Sequence, residues 1–224
     1  MSAFWKNKTL LVTAGPTQEP LDPVRYLTNR SSGKMGYAIA EQARKLGAEV
    51  WLVSGPVALT PPQGVTLVPV LTALDMQQAV FECLPKIDIL IGAAAVADYR
   101  PQETAAQKLK KSTDHMTLTL VKNPDIVANV AAHPDRPFVV GFAAETEHAL
   151  DYAQGKLLTK NLDMICVNDV SDTTVGFDSQ HNALTLLSRD HQITLPKADK
   201  QVIAQQLLQQ VAQHYETSHS TENS

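Results

Sequence analysis

Hydrophobic and polar positions along the chain follow two alternating patterns, short apolar runs and longer segments with helical spacing. The run Thr9–Ala14 is continuously apolar or β-branched, which is typical of a strand buried on both faces of a parallel sheet. Residues 35–46 instead place Ala38, Ile39 and Ala43 on one face of a helix. This alternation predicts an α/β fold with a mainly parallel sheet flanked by helices.

The same two patterns continue to the end of the chain. Further strands are predicted at residues 50–53, 66–70, 87–95, 116–120, 138–142 and 164–167. Further helices are predicted at residues 73–84, 125–132, 147–158 and 200–215. Residues 183–188 and 192–195 flank a polar turn and predict a C-terminal hairpin. The polar residues 216–224 predict a disordered tail, which leaves a single domain over residues 1–215.

Composition and charge exclude several classes of protein. The 224 residues are 44% hydrophobic, and a chain of this size needs no disulfide or zinc to hold its core. Its net charge of −4 argues against a general nucleic-acid binder, which needs clustered Lys and Arg. The longest apolar run, residues 87–97, is far shorter than the roughly 20 residues of a membrane span. No signal peptide is evident, so we expect a soluble cytoplasmic protein in which Cys83 and Cys166 are buried, reduced thiols.

The connection after the first strand is the first candidate for function. It runs from Ala14 to about Gly33, whereas βα loops usually have roughly 2–6 residues. The GxGxxG motif of a dinucleotide site is absent, and Tyr37 is followed by Glu41 rather than by the lysine of a YxxxK motif. Both absences count against an NAD(P)-dependent oxidoreductase of Rossmann type, which is kept as the alternative. The end of the loop, with Ser32 before Gly33, fits either an anion site at a helix N-terminus or a simple serine cap.

Five further segments contain groups suited to an anionic ligand. The strand that runs into Gly92-Ala93-Ala94 exposes backbone groups at the carboxyl end of the sheet, where ligands bind in open α/β folds, although tight packing would select the same residues. The lysine-rich segment 108–111 is either a phosphate clamp or a solvated charge run. A loop enters a helix at residues 122–126, and a strand end opens at residues 141–146. The spacing of Lys156 and Lys160 puts both on one helix face.

In combination these segments resemble phosphopantothenoylcysteine synthetase. The resemblance is carried by TAGPTQEPLDPVRYLTNRSSGKMG, GAAAVADY, KLKK, KNPDI, GFAAET, KNLD and ND, and it covers about residues 9–215. It implies a Rossmann-like fold, a homodimer and a bacterial, CTP-dependent ligase of coenzyme A biosynthesis. Such a ligase joins 4′-phosphopantothenate to cysteine through an acyl-cytidylate, uses Mg²⁺ with the triphosphate, and releases pyrophosphate and CMP. In many bacteria the synthetase is fused to a flavin-dependent decarboxylase, so the chain is expected to be either a stand-alone synthetase or one half of such a protein.

The resemblance also implies roles for individual residues. The implied catalytic residues are Asn29, for the acyl-cytidylate, and Lys108, for the triphosphate. The implied substrate-binding residues are Asn29, Arg25, Ser31, Ser32 and Gly33, with Arg25 in a loop offered to the neighbouring subunit. The implied CTP-binding residues are Gly92, Ala93, Ala94, Asp98, Lys108, Pro124, Asp125, Ile126, Val127, Phe142, Lys156 and Lys160. Metal ligands are not predicted. A non-catalytic nucleotide-sensing module is a further alternative, disfavoured by the presence of both Asn29 and Lys108.

Overall fold

The computed structural model describes residues 2–110, 114–145, 149–169 and 179–221. Its strands are β1 (Thr9–Ala14), β2 (Gln18–Pro20), β3 (Tyr26–Thr28), β4 (Glu49–Ser54), β5 (Thr66–Pro69), β6 (Ile89–Gly92), β7 (Tyr99–Pro101), β8 (Leu120–Lys122), β9 (Phe138–Glu145), β10 (Met164–Asp169), β11 (His181–Leu187) and β12 (Gln192–Asp199). Its helices are α1 (Ser2–Trp5), α2 (Lys34–Leu46), α3 (Ala73–Cys83), α4 (Ile126–Ala131), α5 (Ala149–Thr159) and α6 (Lys200–Thr221), with a 3₁₀ turn at Leu84–Lys86.

Eight strands form the central sheet in the order β12-β11-β10-β9-β6-β1-β4-β5. The pairings from β5 through β10 are parallel, and β10, β11 and β12 pair antiparallel. One face is covered by α2 and α6, and the opposite face by α3, α4 and α5. The structure therefore confirms the predicted parallel sheet between helices with a C-terminal antiparallel hairpin.

Packing on both faces explains the continuous apolar run of β1. Leu10 and Val12 pack in the core on the α2/α6 side, and Leu11 packs on the opposite side; all three are fully buried. Gly36 brings α2 directly onto this strand, since a Cβ at Gly36 would lie 2.6 Å from Cβ of Ala14. This close approach sets the N-terminus of α2 beside the carboxyl end of β1.

Several predicted boundaries were wrong, each for a physical reason. Strand β6 ends at Gly92 rather than at Ala95, because the chain then turns to pair with the loop after β1. The strand predicted at residues 116–120 lies at Leu120–Lys122, in a two-stranded ribbon with β7, and its apolar side chains are exposed rather than in the core. The long loop contains a hairpin of β2 and β3 that the sequence did not predict.

The C-terminal helix also differs from its prediction. Helix α6 continues to Thr221, so residues 216–221, predicted as a disordered tail, are helical in the structure. Residues 222–224 lie outside the described part, as do residues 146–148 at the predicted start of α5. Cys83 and Cys166 are free, buried thiols, and burial raises the pKa of both. Among the described residues, no helix is long and apolar enough to cross a membrane.

Candidate functional site

A cleft of about 670 Å³ lies at the carboxyl end of the sheet. It is bounded by the ends of β6, β9 and β10 and by the starts of α2, α4 and α6. The described residues that line it are residues 31–36, 92–99 and 122–127, together with Asn29, Phe142, Ala143, Lys156, Lys160, Asn168, Asn182 and Lys200. The location is the one at which open α/β sheets bind ligands.

The N-terminus of α2 forms one wall of the cleft. The capping position is Gly33, whose φ of 75° lies in the left-handed region and which has no side chain to cap the helix. Ser31 Oγ accepts a hydrogen bond from the Gly33 N–H at 3.3 Å and does not reach the first turn. The structure therefore does not support the simple serine cap. The first-turn N–H groups belong to cleft-lining residues and carry the positive end of the helix dipole, which suits an anion.

The long loop is pinned against the segment that follows β6. Asn29 Nδ2 donates to the carbonyl oxygens of Ala95 at 3.4 Å and Val96 at 3.0 Å. From the other side, Thr17 Oγ1 accepts from the Ala97 N–H at 3.0 Å. The side-chain amide of Asn29, which the resemblance assigns to the acyl group, therefore holds the two loops together. These hydrogen bonds place Asn29 at the cleft.

Lysines give the cleft a positive charge within an acidic protein. Of the described residues that line it, five are lysines, Lys34, Lys122, Lys156, Lys160 and Lys200, and two are aspartates, Asp98 and Asp125. A triphosphate and a carboxylate repel each other, and local cations offset that repulsion.

One of the two aspartates is already engaged. Asp125 accepts from the Ala128 N–H as the cap of α4, and its other oxygen lies 2.8 Å from Lys160 Nζ. This pair holds α5 beside the start of α4, so that Lys160 borders the cleft. Within the described residues, no cluster of three His, Cys, Asp or Glu side chains could hold a metal.

Most of the predicted site residues meet in this cleft. They are Asn29, Ser31, Ser32, Gly33, Gly92, Ala93, Ala94, Asp98, Pro124, Asp125, Ile126, Val127, Phe142, Lys156 and Lys160.

Arg25 and Lys108 do not line the cleft. Arg25 is paired with Asp22 at 2.7 Å and donates to the carbonyl of Leu109 at 3.0 Å, and Lys108 is exposed. The segment around Lys108 therefore follows the long loop instead of folding over the cleft, while Lys111 and Thr146 of the predicted motifs lie outside the described residues.

Sequence reasoning did not select several residues that line the cleft. Lys34, Lys122, Asn123 and Asn168 stand inside the segments that were singled out, so their motifs carried a signal. Asn182 and Lys200 carried none, because they reach the cleft only through the pairing of β11 with β10 and β12.

Comparison with known proteins identifies relatives over nearly the whole chain. Residues 5–215 match the family described as DNA/pantothenate metabolism flavoprotein C-terminal domain. The coenzyme A biosynthesis bifunctional protein CoaBC of Vibrio cholerae is 57% identical over 201 residues, which are 88% of this chain and 50% of the relative. The chain thus spans about half the length of the curated relatives it matches.

Solved structures agree with this result. A crystal structure of the C-terminal domain of coenzyme A biosynthesis bifunctional protein CoaBC has a TM-score of 0.82 and 42% identity, and the match covers 96% of this chain and 98% of the other. A complex of Cab2 mutant H337A with phosphopantothenate-cysteine has a TM-score of 0.80 at 16% identity, covers 100% of this chain and 93% of the other, and shows the same fold.

Proposed function

Because the chain belongs to the family of DNA/pantothenate metabolism flavoprotein C-terminal domains, we propose that it is a CTP-dependent phosphopantothenate–cysteine ligase of coenzyme A biosynthesis. The observation that carries the proposal is the cleft, in which the N-terminus of α2 and several lysines lie together at the carboxyl end of the sheet. Those groups suit a nucleoside triphosphate and a second anionic reactant. The absence of GxGxxG disfavours the oxidoreductase alternative.

The proposed reaction has two steps. A carboxylate oxygen of 4′-phosphopantothenate attacks the α-phosphorus of CTP, and pyrophosphate leaves. The cysteine amine then attacks the acyl carbon, CMP leaves with the bonding electrons, and the amine gives up a proton. Charge accumulates on phosphate oxygens in the first step and on the acyl oxygen in the second, so fixed N–H groups and ammonium groups are the useful catalysts.

We assign a part of this reaction to each of several groups in or near the cleft. The first-turn N–H groups of α2, with Lys156 and Lys160, would neutralise the phosphates. Asn29 would hold the acyl group where the loops meet, and Lys108 would act on the triphosphate once its segment closes. Mg²⁺ usually binds through one or two carboxylates and the substrate's phosphates. Since Asp125 is engaged by Lys160, Asp98 is the cleft carboxylate that would hold it.

A pyrophosphate-release assay with 4′-phosphopantothenate, cysteine and each of the four nucleoside triphosphates tests the function. We expect turnover with CTP that depends on both other substrates. Equal turnover with ATP and CTP would refute the CTP assignment, and no pyrophosphate with any nucleotide would refute the ligase. Hydride transfer from NAD(P)H would instead support the alternative.

Exposed apolar side chains on two hairpins support a homodimer. Val24 and Tyr26, on the β2–β3 hairpin, are 60% and 51% exposed, and Tyr99 and Leu120 on the β7–β8 ribbon are 47% and 42% exposed. Thr104 Oγ1 donates to the carbonyl of Pro20, which ties the two regions together. Exposed apolar side chains on neighbouring hairpins are typical of an interface, and we assign these to contact with a second copy of the chain.

Light scattering measures the proposed association. We expect a dimer for the wild type, and a monomer for the double substitution Val24→Ser with Tyr26→Ser. Val202→Ser is the matched control, since Val202 is 44% exposed on α6, a helix that packs against α2, β11 and β12. An active wild-type monomer at assay concentration would contradict the dimer.

The relatives' bifunctional name supports a further part of the proposal, that this ligase works in the cytoplasm fused to, or associated with, a flavin-dependent decarboxylase. Immunoblotting of the protein in its native host distinguishes a fused polypeptide from a separate 24.4 kDa chain.

A further inference from the structure

One corner of the cleft lies entirely on the α2/α6 face of the sheet. Side chains along β9 and β10 alternate, with Val140, Phe142 and Cys166 on this face and Ala143 and Val167 on the other. The same alternation places Asn168 on the α2/α6 face.

Asn182 reaches this corner from the neighbouring strand. It lies at the start of β11, and its Nδ2 lies 3.7 Å from the sulfur of Met35 in the first turn of α2. The corner therefore combines two amides with an aromatic ring and a thioether.

The two amides have unused hydrogen-bonding capacity. The side-chain oxygens of Asn168 and Asn182 are buried and accept no hydrogen bond from the described residues, and Asn182 as a whole is only 1% exposed. Buried carbonyl oxygens are nearly always paired, so two unpaired ones in the wall of a cleft point to a missing donor. Both residues line the cleft, so a bound molecule can supply that donor.

The chemistry of the corner restricts what that molecule presents. Phosphate and carboxylate oxygens are acceptors and would face the amide oxygens unfavourably. A group with N–H donors in one plane, attached to a flat ring, fits two acceptors beside Phe142 and Met35. The exocyclic amine of an aminopyrimidine is such a group, because its two N–H bonds diverge in the plane of the ring.

We propose that Asn168 and Asn182 bind the exocyclic amino group of cytosine and thereby select cytosine over uracil. This inference rests on the proposed function, and it assigns the reading of the base to side chains in addition to backbone groups. Met35 belongs to the first turn of α2, so a base in this corner lies one side-chain length from the N–H groups that suit phosphate. Uracil has an acceptor oxygen in place of the amine, and three acceptors would then face one another.

Equilibrium titration of nucleotides into the full chain with Mg²⁺ tests the proposal. The ligands are CTP, UTP and the pyrimidin-2-one ribonucleoside triphosphate, which is a cytosine nucleotide without the amino group. We expect the wild type to bind CTP about tenfold or more tightly than the other two, in line with loss of a buried hydrogen bond.

Asn168→Leu and Asn182→Leu separate the amides from the rest of the cleft. Each substitution is expected to weaken CTP binding by about tenfold and to leave binding of the pyrimidin-2-one nucleotide unchanged. Asn129→Leu is the matched control, since Asn129 is an exposed amide of α4 that does not line the cleft. A steady-state KM for cysteine is measured for each variant that retains activity.

Each outcome decides the proposal. Equal wild-type affinity for CTP and the pyrimidin-2-one nucleotide overturns it without any variant, so it stays testable if both substitutions prevent folding. Equal loss for both nucleotides in the variants also overturns it. A raised KM for cysteine with unchanged CTP affinity would show that the two amides bind the cysteine amine instead of the cytosine amino group, and would overturn the proposal. A wild type that binds no CTP refutes the proposed function itself, which is a distinguishable failure.

Discussion

The carboxylate of Asp22 accepts a hydrogen bond from the backbone N–H of Leu109, 87 residues further along the chain, at 3.1 Å. The same carboxylate accepts from the N–H groups of Val24 and Arg25 and from the Arg25 guanidinium, which in turn donates to the Leu109 carbonyl at 3.0 Å. Asp22 is buried, and these bonds hold its pKa below its ordinary value against the opposing effect of burial. Both backbone groups of the residue after Lys108 are therefore fixed to the long loop.

Asp22→Asn should release the segment that carries Lys108. Trypsin cleaves the bond between Lys108 and Leu109 only when this backbone leaves its native hydrogen bonds. Loss of this charge-assisted hydrogen bond should raise the cleavage rate about tenfold. Limited proteolysis followed by mass spectrometry measures the rate at this bond.

Asp163→Asn provides the control for that experiment. Asp163 also pairs with an arginine, Arg136, and accepts from a backbone N–H, that of Val139. Its substitution is expected to leave local cleavage after Lys108 unchanged. Equal acceleration in both variants would show that Asp22 has no local role.

The lowered pKa of Asp22 predicts a dependence of stability on pH. The bonds with Arg25 and three backbone N–H groups favour the charged form in the folded state. Their contribution to the free energy of unfolding is complete above the unfolded pKa, about pH 4, and is lost as the pH falls through the lower folded value. The stability difference between wild type and Asp22→Asn should therefore shrink on acidification below about pH 4.

Asp163 is expected to show the opposite dependence of stability on pH. Burial raises its pKa, so the folded state takes up the proton first and this group's contribution to stability increases on acidification. Urea denaturation of both variants and the wild type at a series of pH values measures the two trends. Parallel trends would contradict the assignment.

Gly36 and Gly155, both within helices, allow a controlled test of how closely α2 packs on the sheet. A Cβ at Gly36 would lie 2.6 Å from Cβ of Ala14, whereas one at Gly155 in α5 would meet nothing within 4 Å. Gly36→Ala should destabilise the protein by about 1–3 kcal/mol, because overpacking exceeds the gain in helix propensity. Gly155→Ala should stabilise it by about 0.5–1 kcal/mol. Chemical denaturation reports both values, and a neutral Gly36→Ala would mean that α2 can shift.

Substitutions at Asn29 and Lys108 should block different steps of the proposed reaction. Lys108→Gln removes the positive charge that would neutralise the triphosphate, and it should slow acyl-cytidylate formation by roughly 10²–10³-fold. Asn29→Asp should still release pyrophosphate in the first turnover and then accumulate the intermediate, because a carboxylate beside the acyl oxygen opposes the negative charge developing there. Rapid-quench single-turnover experiments with labelled CTP distinguish the two.

Either of two results would reverse these roles, namely no intermediate with Asn29→Asp or an accumulated intermediate with Lys108→Gln.

Local patterns were sufficient for the sheet, whereas the individual residues of the cleft were predicted mainly from the resemblance to a known family. Buried parallel strands such as β1 have apolar residues on both faces. The apolar run at Thr9–Ala14 can therefore be predicted as a strand without knowing which strands pair with it. Cleft residues such as Asn29 and Lys160 stand in short segments whose composition suits an anionic ligand, and the carboxyl ends of parallel strands meet at one edge of the sheet. The order of strands and helices therefore predicted where these segments meet, and the resemblance supplied the individual residues.

Long-range pairing decided the rest. Asn182 and Lys200 join the cleft because β11 runs antiparallel to β10 and β12 runs antiparallel to β11, which returns the start of β11 and the start of α6 to the carboxyl end of β10. Lys108 lies outside the cleft because a buried carboxylate far along the chain holds its neighbour Leu109. Neither arrangement leaves a local periodicity or spacing, because each depends on hydrogen bonds between distant segments whose energies are set only when the chain has folded.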